Sequence, residues 1–181
     1  MIQWINSMPP ARARIRFALG AGVGLVVVSG LMIFRTIAWA APVNDLPTVK
    51  VLPLSVAQVA AKATMDNCMG RGFPVSVTIV DRDSVPILIT RADGATGVTI
   101  EVSREKAYAA PGFQSSTGAL QEQARTNPGF IAIPSFSVLP GGTPIKSGDT
   151  TVAGIGVSGA PTGEIDADCA QAGLDAIAAS L

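Results

Sequence analysis

Residues 152–166 read VAGIGVSGAPTGEID. The run up to Val157 is apolar and β-branched between its glycines, and it reads as a strand over 150–157. Ser158-Gly159 breaks it, and GEIDADCAQAGLDAIAASL (163–181) reads as a closing helix. Glu164, Asp166 and Asp168 stand at the start of that helix, where carboxylates complement the positive end of the dipole. Ile165, Cys169, Ala172, Ala176 and Ile177 form its expected apolar face. Gly154 and Gly156 lie inside the strand, which implies that a neighbouring element comes close there. GIGVSG lacks the following lysine and the βαβ context of a phosphate loop, so the junction reads as a tight meeting of sheet and helix.

Upstream, LSVAQVAAKATMDNCMGRG (54–72) has a helical pattern. Ser55 is its expected cap, Leu54, Val59, Ala63 and Met69 its apolar face, and Gly70 and Gly72 its end. FPVSVTIVDRDSVPILIT (73–90) holds two strands, 75–80 and 85–90, joined by a turn from Asp81 to Ser84. VTIEVSREKAYAA (98–110) reads as a helix that stops at Pro111-Gly112, and STGALQEQA (116–124) as a short helix. GFIAIPSFSVL (129–139) is expected to be a strand broken by Pro134, followed by a glycine-rich loop and a turn at Ser147-Gly148-Asp149. Adjacent hairpins packed with helices define an α+β fold: an antiparallel β-sheet flanked by helices.

The chain divides before this domain. Arg12, Arg14 and Arg16 precede an apolar run from Phe17 to Phe34, and Ala38 and Ala40 supply an A-x-A pattern. That is the layout of a signal peptide over 1–40, cleaved after Ala40 for export to the periplasm or outside the cell. The alternative is an uncleaved membrane anchor through residues 17–34. Residues 41–53, with three prolines, read as a linker or edge segment, and residues 54–181 as the domain.

All thirteen acidic residues lie after Ala41, against nine basic ones, so the exported part carries a net charge of −4. A mildly acidic domain without a basic run is a poor nucleic-acid binder. The chain has no histidine. This excludes His-based acid–base catalysis, a Ser-His-Asp triad and a proximal histidine on haem. Cys68 and Cys169 fall near the end of the first helix and the start of the last. Antiparallel packing of those helices brings the two together as a disulfide; the alternative is two buried thiols acting as small hydrophobes. Two cysteines without a third ligand close no zinc shell, so no metal site is expected.

PVSVTIVD (74–81), RADGA (91–95), EKAYAA (105–110), GGTPI (141–145) and AGIGVSGAPTGEIDADCAQAGLDAI (153–177) resemble the GlcG/HbpS-like family, which includes the C-terminal domain of PduO-type proteins. The resemblance implies a profilin-like domain and a symmetric homo-oligomer. It also implies haem or a related tetrapyrrole as ligand, since some members bind or degrade haem. Others sit with glycolate or diol catabolism, which implies an accessory protein for a small organic acid. The family tends to have glycine in the turn after the first strand, where this chain has DRDSVP. Haem ligation in parts of the family depends on histidine. Here an axial ligand would have to be Tyr108, Met65 or Met69, unless the protein contacts only the porphyrin.

The matched strings contain the candidate ligand-binding residues Arg91, Asp93, Lys106, Tyr108, Gly141, Gly142, Ser158 and Gly159. Arg91 and Lys106 can pair with ligand carboxylates. The backbone N–H groups of Gly141 and Gly142 can turn toward an anion. The structural alternative is that Arg91 and Asp93 brace a loop, Lys106 caps a helix, and the glycines serve turns. An enzyme built on Lys106 or Tyr108 is a third reading. Ser158 as a nucleophile would need a base, and Lys106 is the candidate for it.

Overall fold

The computed structural model describes residues 46–181. The expected signal peptide and its cleavage site lie outside the described residues. Residues 46–53 have no regular secondary structure. Then follow α1 (Leu54–Gly70), β1 (Ser76–Asp81), β2 (Pro86–Arg91), α2 (Val98–Gly112), α3 (Thr117–Thr126), a 3₁₀ turn (Pro128–Ala132), β3 (Gly142–Ser147), β4 (Thr150–Ser158) and α4 (Gly163–Ile177). The sheet order is β2-β1-β4-β3, and every pair is antiparallel. The α+β expectation is thus met.

Alternation of side chains along each strand gives the sheet two unlike faces. Val77, Ile79, Ile145, Ala153, Ile155 and Val157 pack with α1 and α4 in the main core. The other face presents Ser76, Thr78, Gly154 and Gly156 to α2. The Thr78 hydroxyl lies 2.8 Å from that of Ser103, and the Ser76 hydroxyl 2.7 Å from that of Thr99. A Cβ at Gly156 would overlap the Ser103 carbonyl and the Ala107 amide, and one at Gly154 would come within 2.8 Å of the Ala107 carbonyl. The glycines in this strand therefore let a helix backbone lie directly on the sheet.

Helices α1 and α4 also meet through small residues. Ala57, Ala60, Ala61, Thr64 and Cys68 are the buried side of α1; Asp166, Cys169, Ala170, Gly173 and Ile177 are that of α4. This corrects the apolar face expected for α1, because Leu54, Val59 and Met69 are exposed. Close helix contact favours the side with the smallest side chains, not the most apolar ones. Ser55 is not the cap either: Pro53 holds that position, and its carbonyl accepts the amides of Val56 and Ala57. Cys68 and Cys169 form a disulfide, with 2.06 Å between sulfurs and 5.6 Å between Cα atoms. A Cβ at Gly173 would come within 2.7 Å of the Ala60 carbonyl, so Gly173 sits against α1 four residues beyond Cys169 while the contact moves back along α1. The two helices therefore run antiparallel.

Two expectations fail between residues 129 and 147. GFIAIPSFSVL is no strand: it begins in the 3₁₀ turn and continues irregularly. Pro128 and Pro134 remove ladder donors, and Phe130 and Phe136 pack with Phe113 at 5.4 and 5.1 Å between ring centres. The supposed glycine-rich loop instead enters β3 at Gly142, opposite Gly156. The β1–β2 turn works without glycine. Ser84 takes the positive φ of 66°, and the Asp81 carboxylate accepts the amides of Asp83 and Val85 at 2.9 Å.

Candidate functional site

Ser76 is paired with Arg91 on one side and Ser158 on the other. Gly141 enters β3 at the same end, its carbonyl accepting the Val157 amide at 3.0 Å. The topology therefore brings Arg91, Asp93, Gly141, Gly142, Ser158 and Gly159 to one end of the sheet. Tyr108 is not among them. Its carbonyl accepts the hydroxyl of Ser84 at 3.0 Å, which places it toward the β1–β2 turn at the opposite end.

Lys106 points inward from α2. Its Nζ donates to Asp166 Oδ2 at 2.7 Å and to the Val157 carbonyl at 2.8 Å, and both side chains of the pair are buried. The other Asp166 oxygen accepts the Ala160 amide at 3.0 Å. One ion pair thus joins α2, the end of β4 and the first turn of α4. Gly141 makes room for it. A Cβ there would sit 2.8 Å from Asp166 Cβ and 2.9 Å from Lys106 Nζ, and its φ of 120° is one that L side chains rarely adopt.

Burial outweighs attraction in this pair. Desolvation lowers the Lys106 ammonium from its ordinary value against the pull of Asp166. Desolvation likewise raises the Asp166 carboxyl against the pull of Lys106. At the exposed Glu164, a hydrogen bond from its own backbone N–H holds the carboxyl below its ordinary value, as expected at a helix start. The Lys106 ammonium is engaged inside the protein, and pairing it with a ligand requires opening that contact.

The two glycines are engaged as well. The Gly142 amide donates to Thr117 Oγ1 at 2.9 Å, and the Gly141 carbonyl is held by Val157. Ser158 is nearly buried, while Gly159 is exposed with a φ of 138°. Arg91 differs from all of these. It is exposed, it donates one hydrogen bond to the Ala95 carbonyl at 3.1 Å, and it has no carboxylate partner among the described residues. Asp93 is exposed beside it, and the two form no ion pair.

Sequence reasoning placed Asp166 only at a helix start. Its deeper role had a signal, because Asp166, Cys169, Ala170, Gly173 and Ile177 follow the spacing of one helix face. Thr117 carried no comparable signal. Two grooves open elsewhere on the surface. One of about 410 Å³ runs between α1 and β2 past Met65, Leu88 and Thr90. Another, of about 350 Å³, lies between Lys50 and Leu181. Among the described residues no cluster of three His, Cys, Asp or Glu can hold a metal ion.

The family described as haem degrading protein HbpS-like matches residues 52–175. A double mutant of HbpS from Streptomyces reticuli is 34% identical; the match covers 75% of this chain and 93% of that one, with a TM-score of 0.71. A second HbpS structure is 35% identical over 75% and 96% of the two chains, also at 0.71. The PduOC:heme complex is 22% identical over 71% and 96%, at 0.66, and shares the fold. Among curated proteins, nothing matches.

Proposed function

The chain belongs to the HbpS-like family, and on that premise we propose that it is an exported homo-oligomer that binds haem or a related tetrapyrrole. Arg91 carries the reading. It is an exposed guanidinium with no acidic partner among the described residues, and Ile89 on the same strand and Val98 at the start of α2 are exposed apolar neighbours in the chain. A fork of N–H donors beside apolar surface suits a propionate on a flat apolar ring.

The donor set narrows how haem iron could be held. The chain has no histidine, and both cysteines are in the disulfide. Among the described residues, Tyr108, Met65 and Met69 remain as axial donors. Tyr108 and Met69 are exposed, and Met65 lines the groove between α1 and β2. Tyr108 lies at the opposite end of the sheet from Arg91, so Arg91 is the residue we assign to the ligand, and Tyr108 would serve only a ring seated at the other end of α2. Bound haem would supply an iron centre able to exchange electrons or small ligands. The buried disulfide supports export, because such bonds persist in oxidising compartments.

A small carboxylate is the second reading, and the free guanidinium of Arg91 favours it too. Titrating the chain with hemin, and repeating with Arg91→Ala and Tyr108→Phe, separates the two. Saturable one-to-one binding, weakened roughly tenfold by Arg91→Ala, is the expected result; weakening by Tyr108→Phe alone would move the ligand to the other end of the sheet. Linear, unsaturable uptake would sink the haem reading, and small carboxylates would then be titrated against the same variants.

A further inference from the structure

Residues 92–97 join β2 to α2, and this loop is tied down on both sides. At its start the Ala92 amide donates to the Val75 carbonyl at 2.9 Å. Beyond its end the Thr99 hydroxyl donates to the Thr96 carbonyl at 2.7 Å and lies 2.7 Å from the Ser76 hydroxyl. Between them Ala92–Ala95 forms a tight turn, closed by the Ala95 amide on the Ala92 carbonyl at 3.1 Å. Ala92 and Ala95 are buried, so the turn is fixed against the body of the domain.

Gly94 stands third in that turn with a φ of 84°. That is the left-handed place which such a turn fills with glycine. A Cβ there would meet nothing closer than Pro74 at 3.8 Å, so conformation rather than space calls for glycine. The turn carries the Ala95 carbonyl back to Arg91, whose Nη1 donates to it at 3.1 Å. Asp93, second in the same turn, is exposed and forms no ion pair with Arg91. With Nη1 held, the Nε–Nη2 edge of the guanidinium has no partner among the described residues. That edge presents two parallel N–H donors, which match the two oxygens of a carboxylate.

We propose that Gly94 is the positioning residue of the Arg91 site: its left-handed backbone turns the Ala95 carbonyl onto Nη1, and the guanidinium so held offers its Nε–Nη2 edge to one carboxylate of the ligand. This deepens the function proposed above and rests on that reading. A loose arginine side chain loses rotamer freedom when it binds. Here a hydrogen bond to a fixed loop has ordered the guanidinium beforehand, so less is lost when the ligand arrives. The edge also selects the ligand group. A planar carboxylate accepts both N–H groups at once.

The test is a hemin titration of the full chain, wild type against Gly94→Ala, Gly94→Asn, Arg91→Lys, Arg91→Ala and the double variant Gly94→Ala with Arg91→Ala. Gly94→Ala is expected to weaken binding about fivefold. Gly94→Asn, which enters the left-handed region more readily, should recover most of that loss. Once Arg91 is alanine, Gly94→Ala should add nothing. Arg91→Lys keeps the charge but not the fork, and should bind as weakly as Arg91→Ala. If Arg91→Ala weakens hemin binding and Gly94→Ala does not, the positioning role falls and the Arg91 reading stands. If Gly94→Ala weakens binding equally in the Arg91→Ala background, or Gly94→Asn is as weak as Gly94→Ala, the positioning role falls as well. Arg91→Lys at wild-type affinity overturns the two-donor edge. Unsaturable hemin uptake, or no effect of Arg91→Ala, overturns both the role and the reading beneath it. If Gly94→Ala fails to fold, the wild type decides: nuclear magnetic relaxation of the Arg91 Nε–H should show an ordered side chain before any ligand is added, and a freely moving one overturns the proposal.

Discussion

The two faces of the central sheet solve the same packing problem with opposite chemistry. Toward α1 and α4 the strands offer valine, isoleucine and alanine, and the helices answer with alanine, glycine and a disulfide. Toward α2 they offer glycine and hydroxyls, and the helix backbone itself forms the contact. The first face is held by apolar burial, which is tolerant of changes that conserve volume. The second is held by close approach and paired polar groups, which are not. At the end of the sheet the layers meet through one buried ion pair, Lys106–Asp166, across Gly141. The exposed Arg91 lies at this well-braced end. A candidate ligand partner is thus mounted on rigid backbone.

The largest test of the contrast is Gly156→Val. A side chain there must displace the backbone of α2, so we expect loss of the folded state, read as loss of the cooperative thermal transition. Ile79→Val on the opposite face should cost only about 1 kcal/mol; equal losses would erase the distinction between the faces. The disulfide comes next. It closes a separation of 101 residues, and Cys68→Ala with Cys169→Ala should cost about 4 kcal/mol in urea unfolding. A cost below about 1 kcal/mol would mean that small-residue packing alone joins α1 to α4.

Breaking the ion pair ranks third. Lys106→Met strands Asp166 in the interior and should cost about 3 kcal/mol. Lys106→Met with Asp166→Asn keeps an acceptor for the Ala160 amide and should restore at least half of that loss. A double variant no better than the single one would show that the charges themselves hold the layers together.

The smallest effect is on pH dependence. Asp166 has a raised carboxyl pKa in the folded protein, so its contribution to stability is greatest below the ordinary carboxylate value and is lost as pH rises through its folded value. Lys106 is lowered, so its contribution is present above the ordinary lysine value and is lost as pH falls through its folded value. Asp166→Asn should therefore flatten the decline in stability that the wild type shows as pH rises above the ordinary carboxylate value, read from urea midpoints across that range. Parallel stability curves for the two proteins would refute the assignment.

Much of this was legible beforehand because local rules sufficed. The strand at 150–157, the hairpin through Asp81–Ser84 and the helix beginning at Val98 follow from periodicity and turn chemistry. Glycines inside a strand announced a close neighbour, and Ser103 and Ala107 are that neighbour. Errors arose where the partner decided. Val59 and Leu54 looked like core, yet α4 approaches through Gly173 and leaves room for alanine, threonine and the bridged Cys68. GGTPI looked like a loop, yet β4 offers it a ladder and Thr117 caps its outward amide.

By itself, then, the sequence determined the antiparallel α+β class, the place of each main helix, the absence of histidine chemistry and the family's imprint. Those properties depend on composition and on spacings of a few residues along one segment. Only the tertiary structure decided that Lys106 is paired with Asp166 while Arg91 has no acidic partner among the described residues, and that the outward amide of Gly142 is capped by Thr117. Such facts depend on which distant segments meet, and burial changes what a charge or an unpaired N–H costs more than its identity does.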